Sequence, residues 1–163
     1  IIVILFLTVY SYNIFVSGYE ASVYVCWVYR NRSALIRIPR FSQGREQATR
    51  AELRCPDPSN NPYLALAVML EAGLDGIKRG IIPPDPVEEN VYEFNKDELA
   101  YRNIATLPGS LSEAIEELKK DKVMEQALGS HTYQIYIHSK MAEWDEYRIQ
   151  VTEWEHKKYF ETT

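Results

Sequence analysis

The chain contains few of the residues that build metal sites or disulfide frameworks. Its 163 residues include two cysteines, Cys26 and Cys55, and three widely separated histidines. Two cysteines are too few for a disulfide framework, and their separation does not match a zinc motif. We therefore predict no His/Cys metal site, and we interpret both cysteines as small buried hydrophobic residues of a protein in a reducing compartment.

Charged residues are absent from the first 19 positions. An uncharged run of this length is long enough to span a bilayer. However, no basic residue precedes the run. Its second half is also interrupted by four polar or small residues: Ser11, Asn13, Ser17 and Gly18. The run also lacks an initiating Met and the basic n-region of a signal peptide. Buried strands or a damaged segment explain the run at least as well as a membrane helix does.

Acidic residues outnumber basic ones, 23 to 18, which gives a net charge of −5 and argues against a general nucleic-acid binder. The positive charge is concentrated, however. Residues 30–54 hold seven arginines, no lysine and two acids, so this segment carries +5 and the rest of the chain −10. A segment whose basic residues are all arginines favours planar, bidentate contacts to phosphate or carboxylate. The alternative is an ordinary solvent-exposed basic strand pair.

Hydrophobic patterning predicts strands followed by helices. The strands are expected at 22–28, 33–38 and 49–55. The helices are expected at 62–80, from Ser110 onward, at 122–128, and from 131 to about 159 with a break near Thr152. The helix at 62–80 is apolar over most of its circumference, which predicts that it is buried. We therefore expect an α+β fold, with a few antiparallel strands followed by helices.

The sequence Arg50-Ala51-Glu52-Leu53-Arg54 places two guanidinium groups on either side of one carboxylate on the same strand face. Such a ladder on an exposed strand can be a self-neutralising surface feature of little energetic value. It can also form a site, because the arginines suit anionic oxygens and the carboxylate suits a divalent cation. No Gly-rich phosphate loop is present, so a nucleotide would be held by strand arginines instead.

Several segments resemble the C-terminal part of a bacterial or archaeal type I glutamine synthetase. The segments that carry the resemblance are Gly18–Ala21, Asn31–Pro39, Arg50–Pro58, Asn61–Ala65, Ala72–Ile77 and Ala142–Tyr147. The resemblance implies a cytoplasmic ligase that forms glutamine from ATP, glutamate and ammonia through γ-glutamyl phosphate, with Mg²⁺ or Mn²⁺ as cofactor. It also implies a homo-oligomer, a dodecamer in the family. We expect neither a nucleic-acid nor a membrane partner.

The resemblance also implies roles for particular residues. Arg32 and Arg37 would hold nucleotide phosphates and the transferred phosphoryl group, joined by Arg50. Glu52 would ligate the metal. Two further residues would act in catalysis: Arg54 would contact glutamate and the phosphoryl group, and Glu20 would shield the intermediate and take a proton from ammonium.

The chain departs from the family pattern near its start. Ile14 replaces the arginine that binds the substrate carboxylate in the family, and Ser22 stands where a proline is usual. Residues 1–17 form an apolar leader unlike the family, which a frame error or an artificial start would explain, and residues 18–163 form the C-terminal portion of the catalytic domain. The alternative function is a non-catalytic structural or interaction remnant, tethered to a membrane through residues 1–16.

Overall fold

The computed structural model describes residues 8–14, 22–30, 32–40 and 43–160. Three strands occur in this part of the chain: β1 (Tyr24–Val28), β2 (Ala34–Arg37) and β3 (Glu52–Leu53). The α-helices are α1 (Val9–Ile14), α2 (Pro62–Lys78), α3 (Lys96–Tyr101), α4 (Leu111–Lys120), α5 (Lys122–Leu128), α6 (Ser130–Tyr147) and α7 (Glu153–Glu155). Short 3-10 helices form at Glu46–Ala48 and Val91–Glu93, and a π-helix follows α7 at His156–Phe160. The predicted α+β class is confirmed.

The sheet has the order β1-β2-β3 and mixed strand directions. The predicted antiparallel pairing holds for β2 and β3, where Arg37 pairs with Glu52. By contrast, β1 and β2 are parallel, with Tyr24 beside Ala34 and a register shift within β1. The prediction was wrong for this pair because the alternation of side chains along a strand does not specify the direction of the neighbouring strand.

Loop segments from later in the chain cover the other edge of β1. The amide of Val25 donates to the carbonyl of Ala105 (2.8 Å), and the amide of Leu107 donates to the carbonyl of Val23 (2.8 Å). Nearby, the amide of Val87 donates to the carbonyl of Trp27 (2.9 Å). These bonds satisfy edge groups of β1 that would otherwise be exposed. They also place the sheet against the helical half of the chain.

Local capping motifs set the helix boundaries. The side chain of Asn61 accepts hydrogen bonds from the amides of Tyr63 and Leu64, and proline stands at the first position of α2, which confirms the helix start predicted at residue 62. Thr152 caps α7 with a capping box, which confirms the predicted break in the last helix. The sequence analysis missed α3, although Asn95 and Glu98 form the capping box that signals it.

Residues 9–14, within the predicted leader, form α1, which packs against α6. For this run the sequence analysis left a membrane helix, buried strands and a damaged segment open. The amide of Val9 donates to Glu143 Oε1 (3.0 Å), and Asn13 Nδ2 donates to the Tyr147 hydroxyl (3.2 Å). Tyr12 is buried. None of the described helices combines the length and apolar character needed to cross a bilayer. Residues 1–7 and 15–21 lie outside the described part of the chain.

The expectation that α2 is buried was wrong. One side, which includes Ala65 and Val68, is buried, and the helix packs against α5. The other side is exposed and carries large apolar side chains: Tyr63, Leu66, Leu70, Leu74 and Ile77. We call these five residues the α2 stripe. The apolar pattern predicted burial around most of the helix, but among the described residues only one side of α2 is covered.

We expect the isolated chain to self-associate. The α2 stripe exposes apolar surface, and β3 is an edge strand of the described sheet; both features promote association. Sedimentation velocity across a concentration series should show species heavier than one chain. A stable monomer at all concentrations would contradict this prediction and show that the exposed α2 stripe does not cause association.

Candidate phosphate-binding site

Two arginines hold one carboxylate where β2 meets β3. Glu52 Oε2 accepts from Arg37 Nε (2.8 Å) and lies 2.7 Å from Arg37 Nη2. Glu52 Oε1 accepts from Arg50 Nη2 (3.0 Å). We call Arg37, Glu52 and Arg50 the Arg–Glu–Arg cluster. The sequence analysis predicted that Arg50, Glu52 and Arg54 share one strand face. The structure brings Arg50 and Glu52 together, with Arg37 of β2 beside them, but pairs Arg54 with Ser22 instead.

The arginines keep the carboxylate ionised. Partial burial alone would raise the pKa of Glu52, but the hydrogen bonds and charges of Arg37, and then those of Arg50, outweigh it and lower the pKa below its usual value. The cluster therefore keeps a net charge of +1. The Arg50 side chain is more than half exposed, whereas those of Arg37 and Glu52 are mostly covered. An incoming anion therefore meets Arg50 first.

Arg54 is held away from this cluster by a serine. Its Nε donates to Ser22 Oγ (3.2 Å), which in turn lies 3.5 Å from the backbone carbonyl of Arg32. Ser22 precedes β1, so the Arg54 side chain extends over β2 to reach it. Contacts of Arg54 with a ligand would therefore use its two terminal nitrogens. The sequence analysis missed this role of Ser22, since a buried serine before a strand carries no distinct signal.

The turn that carries Arg32 is fixed from the opposite side. Val91 donates its amide to Ser33 Oγ (3.1 Å), and the Tyr92 hydroxyl lies 3.5 Å from the carbonyl of Arg32. The Tyr92 ring also packs near that of Tyr24, with 6.0 Å between centroids. The backbone of this turn is thus anchored, while the Arg32 side chain is exposed. Fixed backbone with an exposed guanidinium suits recognition of an anionic ligand.

Comparison with known proteins shows to which family the chain belongs. Residues 1–159, including the leader, match the model of the glutamine synthetase catalytic domain. The chain belongs to the glutamine synthetase family. It is 49% identical over 152 residues to the glutamine synthetase of Methanocaldococcus jannaschii, covering 93% of this chain and 33% of that protein. It is 52% identical over 165 residues to the Pyrococcus woesei enzyme, covering 94% and 37%.

Solved structures support the same assignment of fold. A complex of GmaS with ADP superposes with a TM-score of 0.81 at 32% identity, covering 98% of this chain and 36% of GmaS. Ligand-free GmaS gives a TM-score of 0.77 at 30% identity, covering 98% and 34%. The chain thus spans about a third of the length of the curated synthetases it matches. The proposed domain boundary at residues 17/18 stays a prediction.

The part of the chain that the structure describes does not form a complete metal site. Its described residues contain no group of three or more His, Cys, Asp and Glu side chains placed to hold an ion. Glu52 is a single carboxylate with both oxygens paired to arginines. Mg²⁺ requires near-octahedral oxygen coordination. Glu52 alone therefore cannot complete such a site.

Two predicted site positions fall outside what the structure describes. Glu20 lies in the undescribed segment 15–21. The Ile14 side chain is likewise outside the described set, although its backbone ends α1.

A buried aspartate that the sequence analysis missed anchors the turn after the arginine strand. The Asp57 carboxylate accepts from the amide and hydroxyl of Ser59 (2.7 and 2.8 Å) and from the hydroxyl of Ser11 on α1. Burial would raise the pKa of Asp57, but these hydrogen bonds, led by that of Ser11, lower it. The turn signal Pro56-Asp57-Pro58 marked this position as a loop but gave no indication of the contact with α1.

We expect Asp57→Asn to destabilise the fold by about 1–3 kcal/mol at neutral pH, because the amide keeps a single acceptor oxygen and leaves a buried donor unpaired. Since the folded-state pKa is lowered, the carboxylate contributes stability above its unfolded pKa and loses it as pH falls through the folded value. The difference between the two proteins should therefore shrink in acid. Urea unfolding from pH 7 to 3 measures it.

The matched control is Asp85→Asn, at an exposed loop position. It should stay within about 0.5 kcal/mol of the parent at every pH. An equal loss of stability at both positions would mean that the Asp57 hydrogen bonds do not stabilise the fold as predicted.

Proposed function

We propose that this chain supplies the phosphate-binding arginines of a glutamine synthetase, an enzyme that forms glutamine from glutamate, ammonia and ATP. The observation that carries the proposal is the Arg–Glu–Arg cluster, in which Arg37 on β2 and Arg50 just before β3 both pair with Glu52 and leave a net positive charge. Arg32, in the turn before β2, and Arg54, directly after β3, add positive charge at the ends of these strands. Family membership supports the reaction class.

This reaction requires positive charge beside the phosphoryl oxygens. An oxygen of the glutamate γ-carboxylate bonds to the γ-phosphorus of ATP while the bond to ADP breaks. Ammonia then attacks the γ-carbon, phosphate leaves, and a proton is lost to a base. Negative charge lies on the phosphoryl oxygens throughout, so preorganised guanidinium groups lower the barrier by electrostatic stabilisation.

Each arginine has a proposed position in this reaction. Arg32 and Arg37 bind nucleotide phosphates and the transferring group, and the exposed Arg50 joins the nucleotide contacts. Arg54 holds glutamate and the phosphoryl group through its terminal nitrogens. Glu52 has two functions in the proposal: it orients Arg37 and Arg50, and it contributes one ligand to the Mg²⁺ or Mn²⁺ that neutralises phosphate charge.

The remaining proposals concern the complete enzyme. Glu20 shields the intermediate from water and takes a proton from ammonium. The complete enzyme is a cytoplasmic homo-oligomer. These assignments follow from the family resemblance.

A chimera tests the proposed function. In it, this chain replaces the matched third of the Methanocaldococcus jannaschii synthetase. The chimera should form glutamine from glutamate, ammonia and ATP. Glu52→Gln should reduce its activity, and Glu46→Gln, at the exposed start of a 3-10 helix, should not. A folded chimera without activity would favour the second candidate, a non-catalytic interaction remnant, which the exposed α2 stripe supports.

A further inference from the structure

A single buried hydroxyl connects two of the proposed phosphate-binding positions. Ser22 lies just before β1 and is 4% exposed. Its Oγ accepts from Arg54 Nε (3.2 Å) and donates to the backbone carbonyl of Arg32 over a longer distance, 3.5 Å. A hydroxyl has one donor and two acceptor sites, so both contacts can exist together. Ser22 therefore links the residue after β3 to the turn before β2.

The Arg54 side chain is fixed at both of its ends. At the main chain, the Arg54 amide donates to the carbonyl of Leu35 (2.9 Å). At the guanidinium, Nε donates to Ser22 Oγ. The methylene groups between these two bonds have little rotamer freedom left, whereas an arginine held only at its main chain would lose that freedom when a ligand binds. The bond to Ser22 thus orders Arg54 before its ligand arrives.

The partner of Arg54 Nε is neutral, whereas Glu52, the partner of Arg37 and Arg50, is charged. Glu52 orients those two arginines but cancels one of their two positive charges. The Ser22 hydroxyl orients Arg54 and leaves its charge intact. The planar guanidinium then presents its two terminal nitrogens as a fork, which suits carboxylate and phosphate oxygens. Placing a charge without neutralising it is what electrostatic stabilisation of a phosphoryl group requires.

We propose that Ser22 is a positioning residue for the synthetase reaction. Its hydroxyl sets the direction of the Arg54 guanidinium, so that the terminal nitrogens face the γ-carboxylate of glutamate and the transferring phosphoryl group. Through the carbonyl of Arg32, it also keeps Arg54 in a fixed relation to the turn that carries Arg32. Ser22 acts through Arg54 and does not contact the substrates. The inference rests on the proposed function, because it takes that role of Arg54 as given.

Kinetics of the chimera test this role. Ser22→Ala should lower the same kinetic constant that Arg54→Lys lowers, by about threefold to tenfold, the worth of one hydrogen bond. Ser22→Thr keeps a hydroxyl and should stay within about twofold of the parent. The matched control is Ser59→Ala, because the Ser59 hydroxyl also bonds a charged side chain, that of Asp57 (2.8 Å). It should stay within about twofold as well.

A double-mutant cycle separates positioning from a general loss of structure. Lysine has no donor at the place of the arginine Nε. In an Arg54→Lys background, Ser22→Ala should therefore change activity by less than about twofold, whereas Ser59→Ala should have the same effect in both backgrounds. Equal losses from Ser22→Ala in both backgrounds would overturn the proposal. So would full activity of Ser22→Ala, or a loss for Ser22→Thr as large as that for Ser22→Ala.

Binding of inorganic phosphate distinguishes this inference from the proposed function. Isothermal titration calorimetry on the full 163-residue chain measures it without turnover. Ser22→Ala should raise the Kd for phosphate about threefold or more and should add nothing in the Arg54→Lys background. An inactive chimera combined with this binding pattern refutes the proposed function and leaves the positioning of Arg54 by Ser22 intact. If the chimera is inactive and the Kd is unchanged, both are overturned.

Discussion

The isolated 163-residue chain is expected to form no glutamine at a measurable rate, whereas the chimera with the Methanocaldococcus jannaschii synthetase should be active. Phosphoryl transfer requires ATP, metal and glutamate to be placed together. The described residues offer one candidate metal carboxylate, Glu52, and no cluster of three ligands. Ile14, which stands where the family has the arginine that binds the substrate carboxylate, is present in both proteins and does not contribute to this difference. Arginines alone can bind phosphate groups without completing the reaction.

Biosynthetic and γ-glutamyl transfer assays with Mg²⁺ and with Mn²⁺ measure this difference. The chimera controls for assay conditions and for the integrity of the arginine-bearing strands. Turnover by the isolated chain close to that of the chimera would contradict the account, because it would mean that this part of the synthetase holds a complete site. An inactive chimera would instead question the proposed function.

Local features of the fold could be predicted because short motifs encode them. Asn61 followed by Pro62 marks the start of α2, and Thr152 marks the break in the last helix. The same rule would have found α3 from Asn95 and Glu98. Each cap depends on hydrogen bonds within about three residues, so the sequence around it contains the whole interaction.

Features that depend on distant partners could not be predicted in this way. The parallel direction of β2 relative to β1 is one such feature, because the side-chain alternation of a strand does not specify the direction of its neighbour. The burial of α2 depends on what covers its second face. Likewise, the alternation of Arg50 and Glu52 predicted that they share a face. The hydrogen bond from Arg54 to Ser22 could not be predicted in this way, because the two residues are 32 positions apart in the sequence.

The final prediction concerns two arginines in the chimera. Arg54→Lys should lower kcat by about tenfold or more, because lysine keeps the charge but loses the planar fork and the Nε bond to Ser22. One charge-assisted hydrogen bond is worth about 1.5–3 kcal/mol, which corresponds to such a loss. Arg45→Lys should stay within about twofold, since Arg45 is exposed in the loop before Glu46.

Steady-state kinetics of both variants in one background separate the alternatives. If Arg54 contacts the phosphoryl group during transfer, the substitution should lower mainly kcat, since the contact is made mainly in the transition state. A rise in KM alone would place Arg54 in ground-state binding of glutamate or ATP. Equal losses at Arg54 and Arg45 would mean that the assigned role of Arg54 is wrong and that the segment acts only through its overall charge.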